Sequence, residues 1–179
     1  MLTITSEKGS LLLNVGKRTV VIFPDASRKV ASGELHLLGA PEEESREGVI
    51  SWPGEYDVDG IAIRGIGHEE GKAVSYMLEV EGVHFGLVHS PLAEWSDYEV
   101  ELMGNIDVLC VPSDNPKVVQ KLVDDIDPRV LIPVKTGGGE KYAETLKVCG
   151  ATGKETVEKY VVKTSGLPSE GREVVIFAD

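Results

Sequence analysis

Short apolar runs separated by glycine, proline and polar residues fill the first half of the chain. Runs of this length predict strands, at residues 2–5, 11–15, 19–23, 34–38, 49–51, 56–58, 61–66, 74–80 and 83–89. Asp59-Gly60 and Glu81-Gly82 each lie between two apolar runs, where such dipeptides favour tight turns and antiparallel pairing. The pattern therefore predicts a β-meander over the first half.

After Pro91 the pattern changes to strands that alternate with helices. Ser96 with Glu99 and Asn115 with Pro116 are helix-start signals. They predict helices at 96–103 and 115–126, and a third helix over 140–149 would bury Tyr142, Ala143, Leu146 and Cys149. Further strands are predicted at residues 108–111, 130–132, 160–163 and 174–177. We therefore expect an α/β (α+β) fold of two packed mixed sheets with helices outside, in a single domain over residues 1–179.

The net charge of −12 is carried by one part of the chain: residues 25–101 hold 17 acidic and 5 basic residues. This acidity makes nucleic acid and anionic membranes poor partners. It indicates a solvated face, a cluster of oxygen ligands, or a surface for an unknown protein partner with basic character. No apolar stretch approaches the roughly 20 residues of a membrane span, and no export signal is visible. Because Cys110 and Cys149 form no close pair, reduced thiols and a cytoplasmic location are expected.

Candidate chemistry is sparse, because the four histidines show no local zinc-ligand spacing. His36 is expected to be a structural strand histidine, and His84 and His89 should lie on opposite faces of one strand. His68 precedes two glutamates on a glycine-flanked loop, so it is either a site residue or a plain loop histidine. Lys135 follows a strand, at the usual place for a site in such sheets, although a solvated edge lysine fits equally.

Residues 53–61 read PGEYDVDGI, which closely resembles a hairpin of the lactonase-like branch of the metallo-β-lactamase superfamily. Residues 65–69, 106–112 and 128–135 resemble further motifs of this branch, in the same order along the chain. The resemblance implies an αββα sandwich, and it implies zinc-dependent hydrolysis where the family's metal ligands are present.

Most of those ligands are replaced in this chain. The family's His-x-His-x-Asp-His motif falls on residues 40–45, where Glu42 and Glu44 occupy ligand positions, and an Asp-Pro pair has become Phe23-Pro24. The bridging aspartate aligns with Ser90 and the last histidine with Lys135, so only His68 is retained. The resemblance therefore implies a degenerate site without a metal cofactor, in which we expect Lys135 to pair with Glu42 or Glu44.

The sequence thus predicts a catalytically degenerate protein that acts as a binding or assembly module for a protein partner or a small ligand. The alternative is a zinc- or other metal-dependent hydrolase of a small ester, lactone or phosphorylated metabolite. Its rearranged site would use Glu42, Glu44, His68 and His89. A third interpretation is a homo-oligomer that forms through an exposed strand edge.

Overall fold

The computed structural model describes residues 1–25 and 27–178, and two β-sheets pack face to face at its centre. The first sheet has the spatial order β13 (Lys159–Val162), β1 (Leu2–Glu7), β2 (Ser10–Val15), β3 (Arg18–Ile22), β4 (Glu34–Leu37) and β5 (Val49–Ile50). The second sheet has the order β14 (Glu173–Val174), β11 (Val130–Val134), β10 (Val108–Pro112), β9 (Val83–Leu87), β8 (Ala73–Val80), β7 (Ile61–His68) and β6 (Gly54–Val58). The short strands β12 (Thr156–Val157) and β15 (Ile176–Phe177) form a separate pair.

Both sheets are mixed. Strands β6 to β9 are antiparallel, and Asp59-Gly60 and Glu81-Gly82 turn the chain with positive φ at both residues, as their sequence predicts. Strands β9, β10, β11 and β14 run parallel. In the first sheet β3, β4 and β5 also run parallel, so the predicted continuous β-meander is wrong there. A long connection after β3 carries the chain back to the start of β4, which permits parallel pairing where a two-residue turn does not.

The outer layer is formed by the α-helices of the described residues: α1 (Asp97–Met103), α2 (Pro116–Ile126) and α3 (Gly139–Val148). Ser96 and Glu99 form a capping box at α1, and the Asn115 side chain caps α2, so both predicted helix starts are confirmed. The helices pack on the second sheet, against apolar residues that include Ile66, Leu109 and Leu131. The predicted class of two packed mixed sheets with helices outside is therefore confirmed, with this helical layer on the second sheet. Among the described residues, no helix is long and apolar enough for a membrane span.

One predicted helix face needs correction. In α3 Ala143 is exposed, whereas Thr145 is fully buried and its hydroxyl donates to the carbonyl of Ser113 at 3.1 Å. Tyr142, Leu146 and Cys149 are partly buried, as part of the predicted stripe. The threonine is buried because its one polar group finds a partner, which apolar periodicity alone does not anticipate.

The core between the sheets is apolar and contains one hydroxyl that joins the two sheets. Its side chains alternate along the strands and include Leu2, Ile4, Leu13, Leu37, Ile61, Leu78, Phe85 and Leu87. Tyr76 of β8 is fully buried, and its hydroxyl contacts the carbonyl oxygens of Leu38 at 2.5 Å and Ile50 at 3.1 Å. Burial raises the pKa of the Tyr76 hydroxyl, which therefore remains a donor. One hydroxyl of the second sheet thus holds the ends of two strands in the first.

We predict that Tyr76→Phe lowers the free energy of unfolding by about 1–2 kcal/mol, because it removes a buried hydrogen bond and leaves the Leu38 carbonyl without this donor. Urea denaturation measures the change. Tyr98→Phe is the matched control, since Tyr98 is 68% exposed and should tolerate the same substitution. Equal stability of the two variants would contradict the role assigned to Tyr76.

Candidate functional site

A cavity of about 380 Å³ opens at one end of the sheet sandwich. We call it the cleft. The segments that follow several strands bring its lining residues together: Phe23 and Pro24 after β3, Gly39 and Ala40 after β4, His89 and Ser90 after β9, and Thr136 after β11. Leu11, Ile22, Val88, Cys110, Pro112 and Val134 also line it. The carboxyl ends of parallel strands are the usual place for a ligand site, and here both sheets contribute such ends.

The structure brings some of the positions suggested by the family resemblance together and separates others. Phe23, Pro24, Ala40 and Ser90 line the cleft. Glu42, Glu44, His68 and Lys135 are not among its lining residues. Of the candidate site residues, Ser90 lies in this cavity, as does His89 of the alternative hydrolase site.

Glu42 and Lys135 do not form the expected ion pair. The Glu42 carboxylate binds Arg46, with Nε and Oε1 2.9 Å apart, and Glu44 is exposed. Lys135 is exposed as well, and its Nζ lies 5.9 Å from the centre of the Tyr142 ring on α3. Among the described residues no ion pair joins Lys135 to Glu42 or Glu44, so that expectation is wrong. The reason is alternation along β11, which places Lys135 on the same face as the helix-packed Leu131.

His68 lies on the helix-facing side of the second sheet, where both of its ring nitrogens are hydrogen-bonded. Nδ1 contacts the Glu99 carboxylate of α1, and Nε2 lies 2.8 Å from the Ser75 hydroxyl oxygen. The same Ser75 oxygen accepts the His89 backbone N–H at 3.0 Å, so its own hydrogen is left to donate to Nε2. Because a carboxylate only accepts, Nδ1–H donates to Glu99. Trp95 covers the imidazole, with ring centroids 4.6 Å apart.

The carboxylate of Glu99 is well suited to this contact. Burial opposes its ionisation, but hydrogen bonds from Ser96 and His68 outweigh burial and lower the pKa of Glu99. Because Ser75 is fully buried, the Glu99–His68–Ser75 arrangement offers no accessible nucleophile. Its effect is to fix the backbone at His89, next to the cleft.

His89 is the imidazole that lines the cleft. It lies two residues beyond the end of β9, whereas His84 lies within β9, so the predicted strand over 83–89 is shorter than expected. Its ring packs edge-on against Phe23, with centroids 6.1 Å apart. Burial, and secondarily the proximity of His68, lower the pKa of His89. Within the described chain no group hydrogen-bonds its ring nitrogens, so a neutral imidazole presents one donor and one acceptor.

Sequence reasoning missed Asp114, which organises the polar side of the cleft. Its Oδ2 accepts hydrogen bonds from the Ser90 hydroxyl at 2.5 Å and the Thr136 hydroxyl at 3.1 Å, and its Oδ1 accepts the Leu92 N–H at 2.8 Å. The available signal was its position two residues after β10, beyond the carboxyl end of a parallel strand.

The residues of the cleft do not fit a catalytic zinc ion. Such an ion needs three protein ligands of the His, Cys, Asp or Glu type and an open position for water. Over residues 1–25 and 27–178, no group of three or more such side chains is placed to bind a metal. His68 and His89 line a smaller cavity of about 150 Å³ with Glu69, Glu94 and Glu99. Glu42 and Glu44 are not among its lining residues, so the four residues of the alternative hydrolase site do not converge.

Comparison with known proteins identifies the fold. No protein-family model matches the chain, and no curated protein matches it significantly in sequence. The chain is similar to the structure of a candidate zinc-dependent hydrolase of the metallo-β-lactamase superfamily from Thermotoga maritima. The TM-score is 0.78 and the identity 22%, over 99% of this chain and 98% of that one.

Two further structures are similar at lower identity. A candidate metal-dependent hydrolase from Veillonella parvula gives a TM-score of 0.63 at 11% identity, over 90% of this chain and 99% of that one. A metallo-β-lactamase fold protein from Bacillus subtilis gives 0.60 at 8% identity, over 98% and 96% of the two chains. These similarities confirm the metallo-β-lactamase fold that the sequence motifs predict.

We predict that Gly39→Ala displaces the His89 ring, because a Cβ at residue 39 would lie 2.5 Å from Cδ2 of His89. The expected result is a large change in the His89 imidazole resonances with the fold retained. Gly138→Ala is the matched control, since a Cβ there meets nothing within 4 Å. Unchanged His89 resonances in the Gly39 variant would show that the ring does not occupy this position.

We also predict a pH effect that depends on His89. Its pKa is below the usual value of 6.5 in the folded chain, so the unfolded chain binds more protons in the interval between the two values. Stability from this group is therefore present at neutral pH and is lost as the pH falls from about 6.5 through the folded pKa. His89→Gln should lose less stability than the parent chain between about pH 7.5 and pH 5.5 in parallel urea titrations. An identical loss in both proteins would contradict the assignment.

Proposed function

We propose that this chain is a catalytically degenerate protein of the metallo-β-lactamase fold that binds a small ligand in the cleft. One observation carries the proposal. The positions at which the family resemblance places metal ligands are occupied in the cleft by Ala40 and Ser90, beside Phe23 and Pro24. An aliphatic side chain and a hydroxyl line a cavity there, whereas a catalytic ion would need imidazoles and carboxylates.

The cleft has the general character of a small-molecule site. Its volume of about 380 Å³ lies in the ordinary range for ligand pockets. Most of its wall is apolar, from Leu11, Ile22, Phe23, Val88 and Val134. A few polar groups converge on it, namely the imidazole of His89 and the hydroxyls of Ser90 and Thr136. A largely apolar wall with few, fixed polar groups favours binding over bulk solvation of a small molecule.

The fixed polar groups also support binding rather than metal-dependent hydrolysis. Both nitrogens of His68 are used within the chain, by Glu99 and Ser75. Ser90 is held by Asp114. A metal-ligand role for His68 would require these hydrogen bonds to break, at the cost of leaving the buried Ser75 hydroxyl without its acceptor.

The metal content of tag-free protein tests the catalytic part of the proposal. We expect less than stoichiometric zinc, manganese and iron by elemental analysis, and the same melting temperature with EDTA and after zinc is added back. Hydrolysis of small esters and lactones should stay at the buffer rate in all three states. Tight stoichiometric metal that stabilises the fold, together with ester hydrolysis, would instead establish the hydrolase.

The binding part is tested with 1-hexanol as an apolar probe. We expect saturable perturbation of the His89 ring resonances, and loss of this effect in Ala40→Trp, which fills the cleft from its exposed rim. Ala143→Trp is the control, because Ala143 is exposed on α3 and is not among the cleft residues. Equal binding by the two tryptophan variants would place the probe elsewhere and contradict a role for the cleft.

A further inference from the structure

We infer that the ligand of the cleft is a small apolar molecule with an amine-type head group, which donates hydrogen bonds to Ser90 and Thr136 and is balanced in charge by Asp114. The inference rests on the proposed ligand-binding function and adds the chemical class of the ligand. It follows from counting the hydrogen atoms that the polar wall of the cleft has available.

The two hydroxyls of this wall have already used their hydrogens. Ser90 donates its hydrogen to Oδ2 of Asp114 at 2.5 Å, and Thr136 donates to the same oxygen at 3.1 Å. Thr136 also accepts the backbone N–H of Ser113 at 2.8 Å. A hydroxyl whose single hydrogen is committed offers only lone pairs to a ligand. Both hydroxyl oxygens therefore accept hydrogen bonds from a ligand, and they suit a ligand that donates them.

Charge favours the same class of ligand. No lysine or arginine is among the residues found to line the cleft, and the Asp114 carboxylate lies directly behind Ser90 and Thr136. The His89 imidazole is neutral at neutral pH, so it adds no positive charge. Lys8 and Lys135 line a neighbouring cavity, which shares Gly9, Leu11 and Val134 with the cleft. An ammonium group at the two hydroxyls would thus meet acceptors and one nearby negative charge.

The rest of the cleft wall determines the chemical character of the ligand's body. Ile22, Phe23, Val88 and Val134 offer apolar surface and no fixed partner for a second polar group. A short alkyl or aryl group would remove this apolar surface from water, which is favourable. A small primary amine with an apolar body therefore complements the two hydroxyls and this apolar wall, and the acceptor nitrogen of the His89 imidazole can receive a further hydrogen bond from it.

The test compares three probes of equal chain length near neutral pH: hexylammonium, 1-hexanol and hexanoate. We expect hexylammonium to bind about tenfold more tightly than 1-hexanol, as a charge-assisted hydrogen bond provides, and hexanoate to bind most weakly. Binding of hexylammonium should disappear in Ala40→Trp. This result would distinguish binding in the cleft from non-specific binding of the cation to the acidic surface of the protein. The informative quantity is the ratio of the two Kd values, because damage to the fold weakens both probes.

Asp114→Asn should reduce this ratio to about twofold or less, since it removes the charge but keeps an oxygen acceptor. Asp125→Asn is the matched control, because Asp125 lies on α2 and pairs with Lys121 there. Ser90→Ala removes an acceptor and should also lower the ratio, which keeps the test decisive if the Asp114 variant folds poorly.

The outcomes separate the two proposals. Equal affinity for hexylammonium and 1-hexanol, unaffected by Asp114→Asn, would overturn the amine class while ligand binding in the cleft stands. Tightest binding of hexanoate would also overturn it. Failure of all three probes to bind would overturn both the amine class and the proposed function.

Discussion

The burial of two apolar sheet faces against each other is the constraint on which the rest of this structure depends. It fixes which side of each strand faces inward, and therefore where each strand must end and turn. The Tyr76 hydroxyl adds a directional contact to this packing, because it joins β8 to the carbonyls of Leu38 and Ile50 in the other sheet. The segments that leave β3, β4, β9 and β11 then meet at one end of the sandwich and form the cleft. The cleft is thus a consequence of the sheet packing, and its chemistry depends on which side chains these segments carry.

Two hydrogen-bonded groups fix those side chains from behind. On the helix-facing side of the second sheet, Glu99, His68 and Ser75 hold the backbone of His89. Beyond the ends of β10 and β11, Asp114 holds the hydroxyls of Ser90 and Thr136. In each case a group able to bind a cation directly is committed to an internal partner. The same hydrogen bonds fix the polar wall of the cleft, as the proposed binding of a small molecule requires.

Local signals in the sequence predicted local structure well. The Ser96–Glu99 capping box and the Asp59-Gly60 turn involve residues that are close in sequence, so both can be predicted without knowledge of the fold. The direction of β4 could not be predicted from the sequence, because apolar and polar residues alternate in the same way in parallel and antiparallel strands. The family resemblance identified the fold and several positions of the cleft, since ordered motifs carry information about the whole chain.

The site was only partly predictable, since it depends on which face each side chain occupies. Lys135 follows a strand as expected, whereas His68 lies at the end of β7 rather than on the expected loop. Both lie on the helix-facing side, beside Tyr142 and Glu99. Asp114 was overlooked because its partners Ser90 and Thr136 are 24 and 22 residues away along the chain. Such convergence needs the relative placement of β9, β10 and β11, which residue spacing does not provide.

The central claim is that the scaffold is retained while its side chains no longer support a catalytic ion. It is tested most directly by anomalous diffraction at the zinc absorption edge from crystals soaked in zinc. The account predicts no anomalous peak that has three side chains of this chain within about 2.0–2.3 Å, either at His89 or at His68. A peak at the cleft with three such ligands would contradict it.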